Sequence, residues 1–432
     1  MSTREEDIVK TLSPDQKAIW DYRKTGKNFA IMAPAGTGKS YLSRAMQDNS
    51  TIVVAPTGVA ALNANGITAH KAFGLPIGLP TMEDFEKLPR KMIDLFGKNS
   101  PVKAIQCDEL GMIRSDMLHL IDLRLQKARG NKAPFGGIQM IGIGDFYQIE
   151  PILNNSEKKH FDFNTYKSVF AFDSPSWNFN EFTLTTAHRH ANPKHVELLA
   201  SIRTKDENCE AALRDIIKIA KPFNVNEQVT MLCNFNADAD YYNNIFYNKI
   251  DVSEKIYRAK NYGEEKYKDN EMPVAESLRL KVGTKVIIKA NDISGTYVNG
   301  STGVVKELAD DHVIVTIKEG LESRDVFVCV NKWEKYDFVK SLNGLQKIVV
   351  GTFEQIPIKL GYGISVHSCQ GMTLEEVCIN TGRGSFSHGQ FFVALSRVKN
   401  LENLSFSNSS AISINDIIVR QNVIDHYKKL RG

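Results

Sequence analysis

The sequence predicts an α/β protein with two parallel-sheet units and a small β-barrel inserted into the second. Short apolar runs alternate with helical stretches from Asn28 to Ile152, the pattern of a parallel sheet. A second alternation begins near Phe182 and resumes near the C-terminus. Between its two halves, Leu278 to Val339 changes to closely spaced β-like runs.

In the first unit the expected strands are Asn28 to Met32, Thr51 to Ala55, Ala104 to Cys107 and Gln139 to Ile143. The stretch Gly74 to Pro89, rich in Gly and Pro, reads as an excursion from the sheet and a candidate accessory subdomain. The second unit runs through a helix at Lys194 to Arg203 and an apolar run at Gln228 to Cys233. It resumes at Lys359 to Ile364, Glu376 to Asn380 and Leu404 to Phe406. The inserted strands are Lys285 to Ile288, Thr302 to Glu307, His312 to Ile317 and Asp325 to Val330, separated by Gly, Asn and Asp turns. The expected division is 1–183 for the first lobe, 184–274 with 349–432 for the second, and 275–348 for the insertion.

Composition sets bounds. The 432 residues are 42% hydrophobic and 24% charged, enough for two or three globular domains. With 54 Lys and Arg against 50 Asp and Glu, the formal charge of +4 is too mild to announce a nucleic-acid partner by itself. The six cysteines form no CxxC pair, which fits a reduced compartment. Neither a signal-type apolar segment nor a run of about 18 apolar residues occurs, so a soluble protein of the cell interior is expected, with no membrane partner.

The run Ala33-Pro34-Ala35-Gly36-Thr37-Gly38-Lys39-Ser40 lies where the first strand should end and a helix over Tyr41 to Asp48 should begin. Backbone N–H groups of Ala35, Gly36, Thr37 and Gly38 can close around a polyphosphate. Lys39 can reach its terminal phosphates, and the Ser40 hydroxyl can hold Mg²⁺. Ala33 stands where the usual pattern has glycine, which is tolerable if its φ stays negative. Taken alone the run is matched by an ordinary strand-to-helix turn.

Asp108-Glu109 follows the apolar run at Ala104, at the strand end where ligands of such sheets collect. Asp108 can complete a Mg²⁺ shell, and Glu109 can polarise the water that attacks a γ-phosphorus. The next strand leads into Gly144-Asp145-Phe146-Tyr147-Gln148, and Gln148 can bond both γ-phosphate and attacking water. Arg189 and Arg397 are candidates for a guanidinium supplied from the second unit, although an isolated arginine is usually a surface ion pair. His188 and His190 lack a further ligand cluster and are not read as a metal pair.

Taken in order, these stretches resemble the superfamily-one DNA helicases of the Pif (petite integration frequency), Dda and RecD type. The resemblance also covers Leu12 to Gln16, Ala55 to Ala61, Leu184 to Arg189, Tyr297 to Gly300, His367 to Gly371 and Gln390 to Arg397, so it spans most of the chain. It implies two RecA-like P-loop lobes with an SH3-like barrel insertion, ATP and Mg²⁺ as cofactors, and 5′-to-3′ movement on single-stranded DNA with unwinding of duplex. It further implies that Gln16 reads the adenine edge, that Gln370 and Gly371 join the nucleotide set, and that Arg189 and Arg397 reach across the cleft to the γ-phosphate. Thr57, Thr68 and His70 of the first lobe and His367 of the second would then contact DNA, largely without sequence preference. The expected partners are single-stranded DNA, tailed or forked duplexes and replication or repair proteins, with the motor acting as a monomer.

The sequence departs from the family at Gly111, usually Ser; at Ser368-Cys369, usually Lys-Ser; at His188, usually aromatic; and at Glu150, usually Pro. These changes bear on DNA affinity and coupling more than on hydrolysis. A single-strand-stimulated translocase or remodeller without duplex separation shares every motif. A small-molecule kinase leaves Gln148, Arg189, Gln390 and Arg397 without linked roles, and a non-catalytic DNA-binding module leaves Lys39, Ser40, Asp108 and Glu109 unexplained. Phe73 and Tyr297 read as core aromatics before they read as wedges.

Overall fold

The computed structural model describes residues 11–431 except 35, 154, 185–191, 224–228, 270, 293, 295, 320–321, 342–343 and 371. The first lobe is built on six strands: β1 (Phe29–Met32), β2 (Thr51–Ala55), β3 (Ile67–Thr68), β4 (Ala104–Cys107), β5 (Gln139–Gly144) and β6 (Asn180–Phe182). They pair in parallel in the order β3-β2-β4-β5-β1-β6. Every residue of β1, β2, β4 and β5 is buried, which is why these segments read as continuous apolar runs rather than alternating ones. The register pairs Met32 with Gly144 and Cys107 with Gly142, so the C-terminal ends of β1, β4 and β5 meet at one edge.

Helix α1 (Pro14–Arg23) opens with a capping box between Ser13 and Gln16 and packs Ile19 and Trp20 against Ala33 and Leu42. Helix α2 (Lys39–Ala45) follows the phosphate-loop segment, and α3 (Gly58–Asn63) and α4 (Ala69–Phe73) follow β2 and β3. Helix α5 (Ser115–Arg129) buries Leu118, Ile121 and Leu125, one face at helical spacing, and stops at Gly130 with φ 61°. From α5, Arg124 Nη1 donates to the Phe73 and Gly74 carbonyls at 2.9 and 2.6 Å, and Nη2 to that of Asp84 at 2.8 Å. Arg114 Nη2 donates to the Gly78 carbonyl at 2.7 Å, so the Gly/Pro excursion is anchored by two buried arginines.

The second lobe contains α6 (Pro193–Thr204), α7 (Cys209–Ile219), β7 (Thr230–Cys233) and α8 (Asn236–Lys249). Antiparallel strands from β8 (Lys255–Arg258) to β17 (Ile358–Leu360) then interrupt it. Five of them form a sheet around Val286, Val305, Val313, Val315 and Ile358, and three more, led by the long pair Asn331–Ser341 and Gly344–Gln355, form another. The lobe resumes with β18 (Gly363–Ser365), β19 (Val377–Asn380), α9 (Gln390–Leu395) and β20 (Leu404–Phe406), giving a parallel sheet in the order β18-β7-β19-β20.

The last helix, α10 (Gln421–Arg431), leaves this sheet and packs on the first lobe, with Val423 and Tyr427 buried in that lobe's core. Two parallel-sheet lobes with a β-rich insertion in the second is the α/β architecture expected. Phe73 and Tyr297 are both buried in hydrophobic clusters, as core aromatics should be. No helix among the described residues is long and apolar enough to cross a membrane.

Candidate active site

The segment from Ala33 to Ser40 joins β1 to α2 as a tight loop. Gly36 and Gly38 adopt φ 84° and 80°, the left-handed region where glycine carries no Cβ penalty. Ala33 is fully buried, has no positive φ, and donates its N–H to the Gly144 carbonyl at 3.0 Å, so the missing glycine costs the loop nothing. Thr37 is buried and its hydroxyl donates to the Pro34 carbonyl at 2.9 Å. Lys39 Nζ donates to the carbonyls of Ala33 and Pro34 at 2.6 and 2.7 Å, which stations the ammonium across the loop mouth. Burial pushes its pKa down, against the opposing pull of Asp145 and Glu109. Ser40 is exposed on the first turn of α2, and Ala35 lies outside the described residues.

At the end of β4, Asp108 and Glu109 are both half-buried. Glu109 takes φ 52° and ψ 43°, a left-handed backbone that costs a non-glycine residue about 1–3 kcal/mol and is typical of working sites. Burial, helped by the neighbouring Asp108 charge, raises its pKa to about 7, while Lys39 and Arg397 pull in the other direction. A carboxyl titrating near neutrality suits a general base. Burial also raises the pKa of Asp108.

At the end of β5 the packing is closer still. A Cβ on Gly144 would lie 2.9 Å from Gly111 N, and one on Gly142 would collide with Leu110. At Gly111, where the family usually has Ser, a Cβ would sit 3.0 Å from the Asp145 carbonyl oxygen, a tight contact. Gln148 is buried and its Oε1 accepts from Gln370 Nε2 of the second lobe at 3.4 Å. Asp145 pairs with Arg203 from α6, also of the second lobe, with Nη2 to Oδ1 at 2.6 Å and Nε to Oδ2 at 3.2 Å. His388 bonds the Phe146 carbonyl through Nε2 at 2.6 Å and accepts from Arg420 N through Nδ1 at 3.0 Å, a neutral tautomer consistent with a pKa lowered by burial. Glu150, where the family has Pro, receives Arg420 Nη2 and Nε at 2.7 and 3.0 Å.

Arg397 is almost fully buried and donates to the carbonyls of Val393, Cys369 and Met372 and to the Ser396 hydroxyl, while Glu109 feels its charge. Gln390 donates to the Asn234 carbonyl at 3.2 Å. Arg189 and Gly371 lie outside the described residues, as do His188 and His190. Gln16 is buried and its Oε1 accepts from Ser13 N at 3.1 Å, so the capping box already uses one end of its amide. No cluster of His, Cys, Asp and Glu able to hold a metal by itself occurs among the described residues. Asp108 with the Ser40 hydroxyl supplies hard oxygen donors, a set that fits Mg²⁺ shared with phosphates and water.

The candidate DNA residues sit at the same sheet edges. Thr57 is exposed after β2, Thr68 caps α4 by accepting from Lys71 N at 3.2 Å, and His70 is exposed in the first turn of that helix. His367 follows β18 and lines a groove of about 760 Å³ between the lobes, together with Ile152, Phe163, Phe235, Phe386 and Arg420. Phe386, 53% exposed, stacks on Phe235 at 4.9 Å and lies 6.3 Å from His367, while Arg383 covers the other ring at 5.4 Å. This aromatic ledge carries no sequence signal beyond one Phe in a Gly/Ser-rich turn and another after a strand. Asp145 and Arg203 carry no sequence signal of their pairing, since one lies inside a motif read for its glutamine and the other sits in the last turn of a helix.

Comparison with known proteins agrees with this geometry. The sequence profile of the PIF1-like helicases matches residues 11–205. The ATP-dependent DNA helicase PIF1 of Danio rerio is 30% identical over 440 residues, covering 98% of this chain and 65% of that protein, so the chain spans about two thirds of that relative's length. The ATP-dependent DNA helicase Pif1 of Bdellovibrio bacteriovorus is 26% identical over 428 residues, with 98% and 92% covered. Among solved structures, Bacteroides Pif1 with ADP-AlF4 superposes at TM-score 0.86 with 25% identity and 97% of each chain covered. The same protein bound to single-stranded DNA gives 0.67 at 25% identity, with 97% of this chain and 96% of that chain covered. The profile agrees over residues 11–205 and the relatives and structures along nearly the whole length, and together they support a Pif1-type helicase.

Proposed function

We propose that this protein is an ATP-dependent DNA helicase that translocates 5′ to 3′ on single-stranded DNA and separates the duplex ahead of it. One observation carries the reading. The ends of β1, β4 and β5 bring Lys39, Glu109 and Gln148 to one edge, and Gln370, Gly389 and Arg397 of the second lobe close on that edge.

In this reading Lys39 exchanges the Ala33 and Pro34 carbonyls for phosphate oxygens, and Glu109 takes the proton of the attacking water. Ser40 and Asp108 would hold Mg²⁺, which would supply charge neutralisation at the phosphates. Gln148, already bonded to Gln370, holds the water and registers the loss of phosphate across the cleft. Arg397 turns its guanidinium from backbone carbonyls toward charge developing near Glu109, and Arg189 acts from the same lobe. Gln16 faces the base with the amide nitrogen its cap leaves over. Thr57, Thr68, His70 and His367 grip the strand on the two lobes in alternation. The working division is a first lobe at 1–183, a second at 184–274 and 349–432, and an SH3-like insertion at 275–348. The flanking strands β9 (Lys260–Gly263) and β17 add to the insertion's sheets, and α10 returns from the second lobe to the first. One chain serves as the motor on tailed or forked DNA.

The test is ATP-dependent strand separation on duplexes with a 5′ or a 3′ single-stranded tail, with hydrolysis followed in the same reaction. Separation with the 5′ tail alone is expected. Hydrolysis stimulated by DNA without separation on either substrate would replace the helicase by a translocase. Absence of hydrolysis would sink the assignment.

A further inference from the structure

The Asp145–Arg203 pair is the only charged contact in which the described first-lobe motif turn and a second-lobe helix both bury their charged groups. Asp145 is fully buried at the side chain and Arg203 is 10% exposed. Arg203 projects from the last turn of α6, whose Leu198, Leu199 and Ile202 are part of the second lobe's core. Its guanidinium also lies 4.4 Å from the Tyr147 ring centroid and 5.8 Å from that of Tyr427, and those two rings stack at 4.8 Å. One arginine therefore joins the second lobe, the turn after β5 and the returning helix α10.

Asp145 does more than receive this charge. Its Oδ1 accepts from Tyr147 N at 3.1 Å and its carbonyl accepts from Gln148 N at 3.1 Å, so it shapes the turn that carries Gln148. It is also the leading charge pulling against burial at Lys39. Because both carboxylate oxygens are held by a rigidly packed arginine, α6 cannot move relative to β5 without moving that turn or exposing two buried charges. Loss of either partner leaves the other buried and unpaired.

We propose that Arg203 is a positioning residue for hydrolysis: through its two-pronged contact with Asp145 it transmits the approach of the second lobe to Gln148. The proposal rests on the helicase reading above, and a wild-type protein without DNA-stimulated hydrolysis would defeat that reading rather than this one.

The experiment compares wild type, Arg203→Gln, Arg203→Lys and the neutral pair Asp145→Asn/Arg203→Gln for DNA-stimulated ATPase, KM for ATP and thermal unfolding. In Arg203→Gln the DNA-stimulated kcat should fall roughly tenfold to a hundredfold, the range expected from small misplacements. KM for ATP should stay within about twofold, because the phosphate contacts are untouched. Arg203→Lys keeps charge without the fork and should fall between. The neutral pair removes the unpaired charge, so it should unfold near the wild-type temperature while DNA stimulation stays lost. It keeps the test decisive if the single variant folds poorly. Full stimulation in folded Arg203→Gln, or its return in the neutral pair, would overturn the proposal, the latter by reducing the contact to a structural one.

Discussion

Gly389 at the head of α9 rests directly on Gln148 of the opposite lobe: a Cβ at 389 would lie 2.5 Å from the Gln148 carbonyl oxygen. Its φ of 71° adds a second reason for glycine. Gly389→Ala should destabilise the protein by about 1–3 kcal/mol and lower DNA-stimulated hydrolysis, because the lobes must part to admit the methyl group. Thermal unfolding with ATPase assays checks both. Unchanged values in each would mean the lobes do not close this tightly in solution.

Lys39→Ala should lower ATP hydrolysis roughly 100-fold or more while single-stranded DNA still binds, since the lysine lies in the loop and not in the groove near His367. ATPase rates beside fluorescence anisotropy with labelled DNA separate the two. An intact ATPase would remove the phosphate-loop assignment.

Glu109 must shed its proton to act as a base, and its pKa is raised to about 7. The kcat/KM for ATP should therefore rise with pH through that region, and this limb should vanish in the residual rate of Glu109→Gln. The same shift has a stability consequence. A carboxyl raised above its unfolded value contributes stability at low pH that is lost progressively as pH rises from about 4.5 to about 7, so Glu109→Gln should gain on wild type over that interval and keep the gain above pH 7. Melting curves on either side of that pH, together with nucleotide binding by the variant, test the assignment.

Phe386→Ala should weaken single-stranded DNA binding by about 1–3 kcal/mol, the usual worth of one base–aromatic stack. Because the ring is 53% exposed, the melting temperature should barely move. Equal affinity in variant and wild type would make the ledge of Phe235 and Phe386 a surface cluster.

Ile77 is 96% exposed at the tip of the excursion that Arg124 and Arg114 hold by its backbone. A rigidly anchored loop with an apolar tip suits a pin that splits base pairs. Ile77→Ser should slow strand separation, and deleting Pro76 to Gly78 should abolish it, while DNA-stimulated hydrolysis persists in both. Undiminished unwinding by the deletion would move the pin elsewhere.

What was legible in the sequence was whatever local chemistry dictates. Continuous apolar runs announced a parallel sheet, and the small residues from 35 to 38 announced a backbone loop able to close around phosphate. An acidic pair after such a strand announced its place at the sheet edge. The excursion at 74–89 was visible through its Gly and Pro content, but its anchoring by Arg114 and Arg124 was not, because those bonds run to backbone carbonyls that carry no side-chain code.

The sequence by itself determined the lobes, the phosphate loop and the order of the strand ends, since each depends on residues within a few positions of one another. Only the tertiary structure decided which distant groups meet. Gln148 and Gln370 are 222 residues apart, Asp145 and Arg203 are 58, and His388 reaches Phe146 across 242. The apolar face of α10 says that the helix packs on something, yet its docking on the first lobe through Val423 and Tyr427 is set by the shape of the cavity it fills. Such pairings arise from three-dimensional packing and the need to neutralise charge buried within it. Neither the spacing nor the type of a single residue encodes them.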